Sequence, residues 1–117
     1  VRARRDARNM AAELGFDRAS TIKVATAVSE LARNIFNYAG SGIVVLAPLE
    51  GHRVGMRILA EDQGPGIPNL DDILEGNYRS RTGMGLGILG SRKIMDSFDI
   101  QSTPGKGTRV VMQKYRF

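Results

Sequence analysis

The chain has 117 residues, 42% hydrophobic, 25% charged and 6% aromatic, with a net charge of +5. That suits a single domain large enough to bury its own core. With no cysteine, one histidine and no apolar run longer than Ile43–Leu49, a disulfide scaffold, a thiolate zinc site, a His-rich metal site and a membrane-spanning helix are excluded.

Residues 2–14 predict a helix ending at Gly15, a suitable C-cap. Arg2, Arg4, Arg5 and Arg8 crowd its first turns, the unfavourable end of the helix dipole for cations. A solvated basic face explains them, as does continuation from an upstream strand. A second helix is expected from Ser20 to Tyr38, capped by Ser20 or Asp17. Its apolar stripe runs through Ile22, Ala25, Val28, Ala32, Ile35 and Ala39. Residues 43–49 and 54–61 read as an antiparallel hairpin around the turn Glu50–Arg53. Asp62 to Pro68 is too rich in Gly and Pro for regular structure. Residues 69–82 suggest a short helix and a polar loop, and Gly83–Gly87 opens a third helix with Ile88, Leu89, Ile94 and Met95 as its apolar positions. Residues 98–102 and 108–115 form a second hairpin about Thr103–Gly107. The expected fold is an α+β two-layer sandwich, with a mixed, mostly antiparallel sheet covered on one face by helices.

Glycine and charge are unevenly spread. Nine of the 14 glycines lie between Gly64 and Gly107, and the net charge is +3 over residues 1–40, −4 over 41–75 and +6 over 76–117. Three constellations stand out. Glu30 and Asn34 are one helical turn apart on one face. An amide oxygen suits a hard cation such as Mg²⁺ and a carboxylate can act as general base, although such a pair also suits a plain solvent-facing surface. Asp62-Gln-Gly64-Pro-Gly66-Ile67 follows an apolar strand. There a carboxylate can accept a hydrogen bond from an exocyclic amine while glycines let a flat ring approach the backbone, or the segment is an ordinary Asp turn. Gly83-Met84-Gly85-Leu86-Gly87 at a helix start can offer successive backbone amides to phosphate. It matches neither the Walker pattern nor the dinucleotide fingerprint.

Taken together, Glu-x-x-x-Asn, Asp-x-Gly-x-Gly and Gly-x-Gly-x-Gly, followed by Gly105-Lys-Gly-Thr108, resemble the GHKL (Bergerat-fold) ATPases from Ala19 to Val111. The resemblance implies ATP and Mg²⁺ as cofactors. It makes Glu30 the general base, Asn34 the Mg²⁺ ligand and Asp62 the adenine-binding residue, with Gly64, Gly66 and Ile67 against the ring. Gly83, Met84, Gly85, Leu86 and Gly87 become the phosphate loop, Thr108 the support of the Asp–adenine contact, and residues 69–82 the ATP lid. Within the superfamily, Ser29–Ile35, Ala60–Ile67, Gly85–Gly90 and Met95–Gly105 are similar to RsbT-type switch kinases, the serine/threonine kinases of the bacterial stressosome.

Membership there implies a cytoplasmic kinase of residues 1–117 that phosphorylates STAS-domain partners, then leaves them to activate a PP2C-type phosphatase or another output protein. Relative to that family an N-terminal strand is expected to be missing, exposing a sheet edge. Arg79 and Arg81 either reach the γ-phosphate or solubilise the lid, and Arg33 meets a partner, a phosphate or solvent. His52 reads as a solvated turn residue rather than a phosphosite. An anti-sigma-factor kinase is the alternative. A nucleic-acid module, suggested only by the charge, has neither a recognition-helix signature nor stacking aromatics behind it.

Overall fold

In the computed structural model, which describes residues 2–66 and 84–116, helix α1 spans Arg2–Glu13. Gly15, at φ 84°, ends it as the sequence predicts. The Phe16 amide donates to the Ala11 carbonyl at 3.0 Å and the Gly15 amide to the Ala12 carbonyl at 3.1 Å. This Schellman turn satisfies two of the last carbonyls and folds Phe16 back into the core. Helix α2 spans Arg18–Tyr38, and its cap is Asp17, whose carboxylate accepts from the Ser20 amide at 2.7 Å. Ser20 therefore lies inside the first turn rather than at its boundary.

The remaining elements are β1 (Gly42–Leu49), β2 (Gly55–Asp62), α3 (Met84–Ile94), β3 (Ser97–Thr103) and β4 (Gly107–Tyr115). The strands lie in the order β1-β2-β4-β3. Every neighbouring pair is antiparallel, so the described sheet is not mixed. Both predicted hairpins form, and α3 links them. Asp62 belongs to β2 as its last residue, paired with Thr108 of β4. Its cross-strand partner extends the ladder one residue past the point where the glycines suggest a loop.

The helices cover one face of the sheet. Along β2 and β4 the inward positions Met56, Ile58, Ala60, Val110 and Met112 alternate with outward ones and are buried, as period-two packing requires. Against them α2 sets Val24, Ala27, Val28 and Leu31, while Ala7 and Ala11 of α1 close the layer from the side. The buried stripe of α2 differs from the one expected. Ile22 is 53% exposed, and Val24, Ala27 and Leu31 take its place. Because α2 is flanked by α1 and α3 as well as the sheet, its apolar face is broader than a single stripe. Among the described residues no element covers the opposite face of the sheet, and Ile43 and Val45 of β1 are exposed there.

Candidate functional site

Alternation along the strands decides where Asp62 points. Ala60, two residues earlier, is buried under the helices, so Asp62 sits on the same inner face at the end of β2. The register continues this row across the sheet: Gly42, Asp62, Thr108 and Ser102 stand opposite one another on β1, β2, β4 and β3. The Ser102 and Thr108 hydroxyls lie 3.1 Å apart, and Ser102 Oγ is 3.4 Å from the Gly107 carbonyl oxygen. Asp62 Oδ1 accepts from the Gly64 amide at 2.9 Å, which fixes the carboxylate at the mouth of the glycine turn. An ionised carboxylate held in this way keeps further lone pairs with which to accept an amine.

That turn is built against the β3–β4 hairpin. The Gly105 amide donates to the Pro65 carbonyl at 2.9 Å. Gly107, at φ 122°, passes so close that a Cβ there would strike the Asp62 carbonyl. A Cβ on Gly66, at φ 81°, would come within 2.7 Å of the Thr103 carbonyl oxygen. The end of α2 closes the other side: a Cβ on Gly64 would lie 2.6 Å from Ala39 Cβ, and one on Gly42 2.8 Å from Ile35 Cγ2. An open hollow of about 290 Å³ at this end of the sheet is lined by Glu61, Gln101 and Arg109 of the outward face together with Asp62, Thr103, Gly107 and Thr108, so it wraps the sheet end rather than enclosing the inner face.

Glu30 and Asn34 occupy successive turns of α2, both half-buried. The Glu30 carboxylate is ion-paired with Arg33, so Arg33 meets the neighbouring acid. Asp62, Gly64, Gly66 and Thr108 come together with the last turn of α2. Met84, Gly85, Leu86 and Gly87 form the first turn of α3, where backbone amides lack intrahelical partners. Ile67, Gly83 and residues 69–82, expected to form the lid, with Arg79 and Arg81, lie outside the described residues. His52 is exposed in the β1–β2 turn. Ser102, Gly42 and Ala39 are the residues that sequence reasoning did not place at the site. Ser102 was traceable by period two from Phe98 and Ile100, and Gly42 and Ala39 only through packing.

The family description "Histidine kinase-like ATPase domain" matches residues 1–114. Serine/threonine-protein kinase RsbT of Bacillus subtilis is 40% identical over 116 residues, covering 98% of this chain and 87% of RsbT. An anti-sigma F factor of Clostridium kluyveri is 37% identical over 100 residues, 78% of this chain and 68% of that protein. Among solved structures, the histidine kinase domain of the Erythrobacter litoralis EL346 blue-light activated histidine kinase superimposes with a TM-score of 0.60 at 24% identity. It covers 83% of this chain and 45% of that one, and it speaks for the fold alone. A sheet end that brings an aspartate, a threonine and a glycine turn under a long helix, within a sequence similar to RsbT over nearly its whole length, assigns the chain: it belongs to the histidine kinase-like (GHKL) ATPase family, in its RsbT-type serine/threonine kinase branch.

Proposed function

We propose that the chain transfers the γ-phosphoryl group of ATP to serine or threonine on STAS-domain partners of a bacterial partner-switching system. On leaving them it activates a PP2C-type phosphatase or another output protein, all in the cytoplasm. The observation that carries the nucleotide half is the inner-face row ending in Asp62. The kinase half rests on the likeness to RsbT.

Asp62 accepts the adenine amine, Thr108 supports that contact, and Gly64, Gly66 and Ile67 leave room for the ring. From Ala39, packed on Gly64, the α2 axis rises about 13 Å to Glu30. That spacing is on the scale of an extended nucleoside triphosphate, so adenine at the Asp62 end leaves the phosphates near Asn34 and Glu30. The amides of Met84, Gly85, Leu86 and Gly87, with Gly83, stabilise charge on the phosphates, the term that dominates most phosphoryl transfer. Glu30, held by Arg33, accepts the proton of the incoming hydroxyl.

Among the described residues no three His, Cys, Asp or Glu side chains gather as a metal cage. Magnesium on a nucleotide keeps several waters and takes its negative ligands from phosphate, so it needs only one or two protein oxygens. The Asn34 amide oxygen fits that minimal role, and the ion, when bound, neutralises phosphate charge.

Incubation with γ-labelled ATP and a STAS-domain partner tests the proposal. The expected product is an acid-stable phosphoester on serine or threonine. Glu30→Gln should lower transfer at least about 100-fold, as general-base loss does, while ADP affinity stays at the wild-type value. Unchanged transfer by Glu30→Gln removes its role. An acid-labile product would point to histidine phosphorylation instead. The likeness to anti-sigma F factors supports a second function, stable binding of a sigma factor, which co-purification with that factor would reveal.

A further inference from the structure

We propose that Arg33 is a positioning residue that favours a partner's hydroxyl over water as acceptor of the phosphoryl group, by holding the Glu30 carboxylate on the outward side of α2. This rests on the assignment of Glu30 as general base and of Asn34 to the phosphate end of the nucleotide.

The geometry is that of three polar residues on one stretch of helix. At about 100° per residue, Arg33 stands about 60° to one side of Glu30 and Asn34 about 40° to the other. Asn34 is half-buried and continues the row of Ala27 and Leu31, which lie in the core. Arg33 is on the solvent side, its side chain 57% exposed against 24% for Glu30. Long helical side chains lean back toward the N-terminus, and Arg33 reaches Glu30 in this way, its guanidinium donating to Glu30 Oε2. Among the described residues neither Glu30 oxygen has another partner. One oxygen is therefore tied toward solvent, away from Asn34, and the other keeps its lone pairs for an incoming proton.

Transfer and hydrolysis differ only in the acceptor. In both, an acceptor oxygen bonds to the γ-phosphorus and the bond from that phosphorus to the oxygen bridging to the β-phosphate breaks. ADP leaves, and the acceptor's proton passes to Glu30. A partner's serine or threonine reaches the base across the outward surface, whereas water also enters between α2 and the phosphates on the Asn34 side. A carboxylate tied to Arg33 faces the first and turns from the second. The pair is open to solvent and so holds weakly in the free chain. A partner docked over Arg33 excludes water from the pair, and the lower effective dielectric strengthens it. The base is thus aligned most firmly when its proper acceptor is in place.

The test measures ATP hydrolysis by the intact chain alone and phosphoryl transfer to a STAS-domain partner. Arg33→Met removes the charge and keeps a long side chain that suits a helix. Loss of a weak surface pair should raise hydrolysis without partner about 3- to 5-fold and lower kcat for transfer by a similar factor, with KM for the partner unchanged. Arg33→Lys, which can still pair one turn back, should return both rates toward wild type. Glu30→Gln/Arg33→Met should hydrolyse ATP no faster than Glu30→Gln. Unchanged hydrolysis in Arg33→Met overturns the inference, and so does a rise in KM alone, which marks a docking contact. Hydrolysis as fast in the double variant as in Arg33→Met overturns both this inference and the assignment of Glu30 as base.

Discussion

Gly107 stands at φ 122°, and a Cβ there would run into the Asp62 carbonyl. There the β3–β4 hairpin passes the end of the strand that carries the aspartate with no room for a side chain. Gly107→Ala should cost about 2–4 kcal/mol, combining left-handed backbone strain with overpacking against a carbonyl. Denaturant unfolding would show this as a lower midpoint, and nucleotide affinity should fall as well because Asp62 is displaced. Two motifs that lie far apart in the chain are thus one mechanical unit: Asp62–Gly66 is shaped by Thr103–Gly107. The glycine pattern made both segments visible in the sequence. Their mutual contact was not visible, because it depends on a strand register that no local pattern encodes. Ser102 marks the same limit: period two from Phe98 and Ile100 puts it on the inner face, but its place beside Thr108 depends on that register.

At the scale of elements, ends were more legible than faces. Gly15 and Asp17 fall where end-of-helix chemistry puts them, and Gly40, at φ 80°, follows the end of α2. The cap has a measurable pH signature. The Ser20 amide, then the Ser20 hydroxyl and the more distant charges of Lys23 and Lys114, hold the Asp17 carboxyl below its ordinary 3.8. The carboxyl therefore binds its proton more weakly folded than unfolded. Its stabilising contribution is complete above the unfolded value and is lost as pH falls through the lower folded one. Asp17→Ala should lower the thermal midpoint at neutral pH by a few degrees. Asp17→Asn should keep most of the neutral-pH midpoint, since asparagine also caps, while removing this carboxyl's share of the acid-limb decline. The buried face of α2 was less legible. A helix packed on α1, α3 and a sheet buries more than one stripe, so Val24 and Leu31 displace Ile22 for reasons that lie in the neighbours.

For the molecule as a whole, the lopsided charge finds part of its explanation in the sheet. The acidic middle and the basic end of the chain meet as adjacent strands, where Glu61 pairs with Arg109 at 3.5 Å, and within the basic end Asp96 pairs with Lys114 at 3.7 Å. The Asp96 carboxylate also accepts from the Tyr115 amide at 2.7 Å, which ties the start of β3 to the end of β4. Glu61 and Arg109 are each more than two-fifths exposed, so their pairing contributes little to stability. It is a point at which the acidic middle and the basic end of the sequence neutralise each other within the fold. The two-layer arrangement, its hairpins and its helix order were all readable from period and turn chemistry. The convergence of β1, β2, α2 and the β3–β4 hairpin on one end of the sheet emerges only from the topology. That convergence is the basis for placing adenine at Asp62, and calorimetric titration of ADP into wild type and Asp62→Asn tests it most directly. Loss of a hydrogen bond to a charged acceptor predicts affinity about 10- to 100-fold weaker in Asp62→Asn with its fold intact, whereas equal affinity in the two proteins would contradict it.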